Sequence, residues 1–192
     1  MVDDLLINYV QPDQYHFSQE SIGLSQWASQ RVNSNEPLDI LDVGAGCGVV
    51  GIEWFYARNN IDKVTLIEKQ SVFLSSQKEN IKGYEQSFLL LNEDFLQYKF
   101  KTKLDVILTN PPYFIKERSR PSVLEIRNTC RQIEEVNLKK WFSQMFEILK
   151  DDGHLFFVFR NDEYKWLSEL VSKFNVRESL VRDNYCFNEW RK

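Results

Sequence analysis

The sequence predicts an α/β fold built on a doubly wound, mostly parallel sheet, and three observations predict it. Short apolar runs alternate with longer stretches of helical periodicity, the pattern of successive βα units. Those runs lack a polar face, as strands covered on both sides do. A glycine-rich turn, Asp42-x-Gly44-x-Gly46-x-Gly48, follows the first run directly and leads into a helical stretch.

The elements are expected in this order. Ser18 caps a first helix in which Ser21-Ile-Gly-Leu-Ser-Gln-Trp-Ala has apolar positions at helical spacing. Asn33–Pro37 is a loop, Leu38–Val43 a buried strand, and Val49–Arg58 a helix. Lys63–Glu68 is the second strand, and Ser71–Ile81 the second core helix, with Gly83 as its stop. Ser87–Leu91 and Leu104–Thr109 are the third and fourth strands. Residues Ile115 to Glu135 form a long, arginine-rich segment with no period, a length that in a compact domain goes with function or mobility. Asn137–Lys150 is a helix with Leu138, Trp141, Phe142, Met145, Phe146 and Leu149 on one face. Asp151-Asp-Gly153 turns the chain into strand His154–Phe159. A helix from Asn161 to Phe174 and a strand from Val176 to Val181 complete the α/β core, residues 38–182.

Composition narrows the function. The 192 residues suit one domain, and 43% hydrophobic residues suffice for a core. Three cysteines, Cys47, Cys130 and Cys186, lie far apart without a C-x-x-C, and there are two histidines, so neither a zinc site nor a disulfide framework is expected. No apolar run is long enough to cross a bilayer, and the N-terminus is acidic where a secretory signal would be basic. The expectation is a cytoplasmic protein, monomeric or a small homo-oligomer, with no metal and no membrane partner. A net charge of -4 argues against a surface devoted to nucleic acid, but leaves room for local basic patches such as Lys116-Glu-Arg118-Ser-Arg120.

In an open sheet of this class, ligands bind beyond the carboxyl ends of the strands. Asp42, Glu68, the Glu93-Asp94 pair and Asn110 all fall there, so they should converge on one rim. The glycine turn lets a ligand approach the main chain. Its spacing is neither G-x-G-x-x-G nor a P-loop, which argues against a diphosphate. Glu68 can accept hydrogen bonds from ribose hydroxyls, Asp94 from an adenine amino group, and Phe95 can pack on the ring. Asp94 alone also suits turn capping.

Asn110-Pro111-Pro112-Tyr113 is the most informative stretch. An exocyclic amine on a purine is a poor nucleophile, because its lone pair is delocalised. The Asn110 side-chain oxygen and the Pro111 carbonyl can accept from its hydrogens and stabilise the charge that develops on attack. The prolines stiffen the backbone, and Tyr113 offers a stacking face.

In this order, the glycine turn, Glu68, Asp94 and Asn110-Pro111-Pro112-Tyr113 resemble the class I S-adenosylmethionine-dependent methyltransferases that methylate amino groups. The resemblance covers roughly residues 38–160 and implies the Rossmann-like fold of that class with S-adenosylmethionine as cofactor. It implies that Gly44, Ala45 and Gly46 cradle the cofactor's methionine and ribose, Glu68 the ribose, and Asp94 the adenine. Gln11-Pro-Asp-Gln-Tyr15-His-Phe17-Ser18-x-x-Ser21 is similar to the leading segment of bacterial tRNA adenine-N6 methyltransferases, which modify an adenine beside the anticodon of a valine tRNA. That likeness lays an N-terminal helical segment, residues 1–36, over the cofactor, with Tyr15, Phe17 and Ser18 against it. It makes RNA the partner and Arg131 a substrate- or phosphate-binding residue. The basic patch just after Tyr113, with Lys116, Arg118 and Arg120, is expected to contact phosphates. Glu20 departs from that family's aspartate, and Tyr185–Trp190 leaves little chain for a loop plus a final antiparallel strand. Either the C-terminal strand pair is shortened, or the tail pairs differently. The alternatives are methylation of a release-factor glutamine, of DNA adenine or of guanine N2 in rRNA, and a cofactor-binding scaffold without activity. The release-factor enzymes usually carry an N-terminal helical domain that this sequence does not show.

Overall fold

The structure is a computed structural model that describes residues 9–13, 16–59, 61–112, 114–115, 132–160, 175–182 and 184–192. Its elements are α1 (Gln19–Ser29), β1 (Asp39–Val43), α2 (Val49–Ala57), β2 (Lys63–Ile67), a 3₁₀ turn (Ser71–Phe73) running into α3 (Leu74–Asn80), β3 (Phe88–Leu91) and β4 (Leu104–Thr109). Then come β5 (Phe114–Ile115), β6 (Gln132–Ile133), α4 (Glu135–Ile148), β7 (Leu149–Arg160), β8 (Asn175–Val181) and β9 (Tyr185–Arg191). Seven strands form one sheet in the order β3-β2-β1-β4-β7-β9-β8. The pairs among β1, β2, β3, β4 and β7 are parallel, and β9 runs antiparallel to both its neighbours.

Strand periodicity divides the core between the two faces. Leu41, Val43, Ile107, Leu155, Phe157 and Phe159 point to one side, where α4 packs Leu138, Phe142 and Met145. Ile40, Val106, Leu108, Phe156 and Val158 point to the other, under α1 and α2 with Leu24, Ala28, Ile52, Trp54 and Phe55. Each large apolar side chain so buried contributes about 1.5–3 kcal/mol, which is why the run Leu155–Phe159 can only be an inner strand.

Several expectations change. Ser18 stands at the N-cap of α1 but its hydroxyl makes no capping bond; its carbonyl accepts from the Ser21 N–H at 3.1 Å. α4 starts at Glu135 and ends at Ile148, so Leu149 and Lys150 already belong to β7. Asp151-Asp-Gly153 is not a separator but a bulge inside that strand. Leu104 pairs with Leu149 and Val106 with His154, which sets residues 150–153 against Asp105 alone. The Lys150 ammonium meets the Asp105 carboxylate there at 2.8 Å. The helix expected over residues 161–174 lies outside the described residues.

The C-terminal pair is not shortened. β9 pairs with β7 from Tyr185–Arg160 to Arg191–His154 and with β8 on its other side. β8 ends at Val181 and β9 starts at Tyr185, so the connection takes far less chain than the sequence reading allowed. Glu189 is fully buried, and its carboxylate takes Arg31 Nε at 2.7 Å, Arg191 Nε at 2.6 Å and His154 Nδ1 at 2.9 Å. Burial pushes its carboxyl up, but these hydrogen bonds outweigh burial and hold it below the usual range. Asn188 donates to the Cys186 carbonyl and accepts from the Ser179 hydroxyl. A strand buried on both faces can carry such groups only when they are bonded.

Candidate active site

The rim above β1–β4 is organised around the glycine turn between β1 and α2. Gly44 and Ala45 both donate to the Ile67 carbonyl, at 3.0 and 3.1 Å. Gly46 N–H donates to Glu68 Oε2 at 3.0 Å, and its carbonyl accepts from Gln77 Nε2 at 2.7 Å. Asn80 Nδ2 donates to the Cys47 carbonyl at 3.0 Å. The turn is thus held from three sides before any ligand arrives. Gly46 has φ +53°, and a Cβ there would point into open space, so the main chain presents itself bare to the cavity.

That cavity has a volume of about 470 Å³, within the range that takes a small molecule or cofactor. Ala45, Gly46, Glu68, Asp94, Phe95 and Asn110 all line it, as do Gly44, Phe17, Ser18 and Pro112. Glu68 is buried, and its Oε1 also accepts from Gln70 N–H at 2.9 Å. Burial raises its carboxyl, against the pull of those two backbone N–H groups toward the charged form. Asp94 does two jobs: it lines the cavity, and its Oδ1 accepts from Leu96 N–H at 2.9 Å to close a turn. Phe95 is buried against α4, edge-on to Trp141 at 5.8 Å.

Asp42 sits elsewhere. It is 1% exposed and does not line the cavity. Its Oδ2 accepts from Gly51 N–H at 2.9 Å, bracing the first turn of α2. Its Oδ1 has no hydrogen-bond partner. Burial pushes the carboxyl up to about 7; the Gly51 bond pulls it down, and the nearby Glu68 charge adds to the rise.

Asn110 is positioned at both ends. β4 carries it to the rim, where Thr109 Oγ1 donates to the Val43 carbonyl at 2.8 Å. Its Nδ2 donates to Ser21 Oγ of α1 at 2.8 Å, which sets the orientation of the carboxamide. Pro111 is buried and Pro112 half-buried. The segment before α1 reaches across the same side. Tyr9 Oη donates to Glu53 at 2.7 Å, Val10 exchanges two hydrogen bonds with Asn80, and the Tyr9 and Phe17 rings meet edge-on at 5.6 Å. Tyr15, Tyr113, Lys116, Arg118, Arg120 and Arg131 lie outside the described residues.

Two contributors escaped the sequence reading. Ser21 was visible as part of a segment but not as the partner of Asn110. Trp141 was placed on the apolar face of its helix, yet its ring lines the cavity and lies against Gly44, where a Cβ would come within 3.1 Å of it. The bare Gly44 therefore admits an indole from α4. Gln144 Nε2 donates to the Phe95 carbonyl at 2.7 Å and ties that helix to the Asp94 turn. Gln132, Glu134 and Asn137 extend the same wall, and β6 is pinned in parallel to β5, just beyond the two prolines. Among the described residues, no group of three or more His, Cys, Asp or Glu is placed to hold a metal ion. No described helix is long and apolar enough to cross a membrane.

The pattern of the methyltransferase small domain matches residues 24–185, most of the chain. The chain belongs to that family. It is a class I S-adenosylmethionine-dependent methyltransferase domain, and S-adenosylmethionine is the cofactor the family implies. The residues present fit this group: a cavity of sufficient volume, a bare main chain at Gly46, and carboxylates at Glu68 and Asp94 on its wall. Among curated relatives, the tRNA1(Val) (adenine(37)-N6)-methyltransferase of Bacteroides thetaiotaomicron is 24% identical over 159 residues, covering 82% of this chain and 65% of the relative. The release factor glutamine methyltransferase of Enterococcus faecalis is 26% identical over 149 residues, covering 74% of this chain and 53% of the relative. The chain thus spans about half to two-thirds of the length of these relatives. Among solved structures, the ribosomal protein L11 methylase of Lactobacillus delbrueckii subsp. bulgaricus superposes with a TM-score of 0.69 at 15% identity, covering 92% of this chain and 80% of that one. The precorrin-6y C5,15-methyltransferase of Geobacter metallireducens gives a TM-score of 0.65 at 15% identity, covering 100% and 97%. The substrates in those two names differ entirely, so the shared fold carries the methyltransferase architecture and not the substrate.

Proposed function

We propose that this domain catalyses S-adenosylmethionine-dependent methylation of an exocyclic amine, N6 of adenine in tRNA. The observation that carries this is the Asn110 carboxamide, oriented by Ser21 on the wall of the cavity that the glycine turn forms. Gly46 offers bare main chain to the cofactor, Glu68 accepts from its ribose hydroxyls and Asp94 from its adenine amino group. Phe17 and Ser18 cover its methionine end, joined by Tyr15. When bound, the cofactor supplies a methyl group activated by a positively charged sulfur.

The rest of the work belongs to the chain's own residues. The Asn110 side-chain oxygen and the Pro111 carbonyl accept hydrogen bonds from the two hydrogens of the target amine. Both become stronger as positive charge develops on that nitrogen, which lowers the barrier without a strong base. The nitrogen gains a carbon and sheds one proton to water. Tyr113 supplies a stacking face for the base, worth about 1–3 kcal/mol, and Lys116, Arg118, Arg120 and Arg131 bind phosphates around it. The target base leaves its stack to reach this depth.

The tRNA reading draws on the relatives named for adenine-N6 methylation. A second reading draws on the release-factor relative, because an amide nitrogen poses the same problem of a delocalised lone pair. Mass spectrometry of tRNA nucleosides from cells with and without this gene separates the two. Loss of N6-methyladenosine from one tRNA is the expected result. Unchanged tRNA nucleosides, with loss of a methylated glutamine in a release-factor peptide, would instead support the second.

A further inference from the structure

A second cavity, of about 320 Å³, lies between α1 and the β8–β9 hairpin. We propose that it holds a nucleotide flanking the target base, an inference that rests on the RNA reading of the active site.

The sheet places this groove on the catalytic rim. Thr109, just before Asn110, pairs with Phe157 of β7, and Tyr185 of β9 pairs with Arg160, further along β7 toward its carboxyl end. The start of β9 therefore rises from the same edge as Asn110, two strands away, or about 10 Å across the sheet. One helix serves both cavities: Ser18 and Ser21 line the first, and Gln19, Ile22 and Gly23 line the second. An RNA strand that sends one base to Asn110 thus passes over α1 into the groove.

The lining chemistry suits a nucleotide. The floor is aromatic. Phe187 lies so close to α1 that a Cβ on Gly23 would come within 2.8 Å of its ring. Trp27 stacks on Phe187 at 5.9 Å with 27° between the rings, and Tyr185 meets Phe187 at 5.2 Å. Phe187 is itself buried, and the rings left half-buried for an unstacked base are those of Trp27 and Tyr185. Gln19, Gln26 and Gln30 share the helix face above the floor, and each carboxamide carries both the donor and the acceptor that a base edge requires. Arg182 stands exposed in the same lining, where it can meet a phosphate. No carboxylate is among the described lining residues, so the groove spares the polyanion the repulsion that a chain of net charge -4 imposes elsewhere.

The test uses an unmodified valine tRNA transcript, the wild-type chain and the double variant Gln26→Ala/Arg182→Ala, both positions lying outside the catalytic cavity. The double variant should raise KM for the tRNA by about tenfold, with kcat and calorimetric S-adenosylhomocysteine affinity within twofold of wild type. In parallel, 4-thiouridine placed beside the target adenine should crosslink, under ultraviolet light, to peptides containing Trp27 or Tyr185. Unchanged KM, or crosslinks confined to other peptides, would overturn the groove while leaving adenine methylation standing. A wild-type chain that methylates a release-factor peptide and never the tRNA would overturn both.

Discussion

The Ser21 hydroxyl holds the nitrogen end of the Asn110 carboxamide at 2.8 Å, so the group's catalytic use depends on a residue 89 positions earlier. Preorganisation of this kind acts on the transition state more than on ground-state binding. Ser21→Ala should lower kcat by about tenfold and leave calorimetric S-adenosylhomocysteine affinity within twofold; an unaltered kcat would remove Ser21 from the mechanism. Asp42 makes a different prediction. Its folded carboxyl titrates near 7, against an ordinary value of 3.8. Below pH 4 it is protonated in both folded and unfolded chains. As pH rises from 4 to 7 the unfolded chain ionises first, so folding stability is lost over that window and levels off above it. Asp42→Asn keeps an acceptor for Gly51 and has no such loss. Its stability relative to wild type should therefore improve by roughly 3–5 kcal/mol between pH 4 and pH 7, measured by urea unfolding across that range. A difference that does not vary with pH would show that Asp42 ionises normally. Glu68, Asp94 and Asn110 were legible in the sequence because Glu68 and Asn110 directly follow an apolar run that reads as a strand, and Asp94 comes three residues after one. Ser21 and Trp141 were not, because their roles depend on pairs of elements that only the folded chain brings together.

At the level of elements, the glycine turn is the stiffest demand on the sequence. Gly48 has φ +90°, and a Cβ there would meet Leu66 Cδ1 at 2.8 Å and Ile52 Cδ1 at 3.1 Å. Gly48→Ala combines left-handed backbone strain with overpacking and should cost about 2–4 kcal/mol, seen as a lower urea midpoint. A loss under about 0.5 kcal/mol would mean that the turn relaxes. The parallel strands were readable because apolar runs and glycine punctuation are local signals. β9 was not, since the chain left after Arg182 reads as too little for a loop and a strand, and only the pairing with β8 shows how short the connection is. The bulge at residues 150–153 escaped for a related reason. Asp-Asp-Gly is sound turn chemistry, and only the register against β4 shows that the strand continues through it.

Over the whole molecule, the doubly wound sheet gathers residues from positions 17 to 141 around one cavity, and family membership agrees with the sheet order. The fold alone leaves the substrate open, as its likeness to methyltransferases with unrelated substrates makes plain. The central claim is that Asn110 makes this cavity a site of amine methylation. The most direct measurement incubates purified protein with S-adenosylmethionine and tRNA from cells lacking the gene, then quantifies N6-methyladenosine by mass spectrometry for wild type and Asn110→Ala. The wild-type chain should form it, and the variant should fall by at least about 100-fold while still binding S-adenosylhomocysteine. Equal product from both, or none from the wild type, would contradict the account.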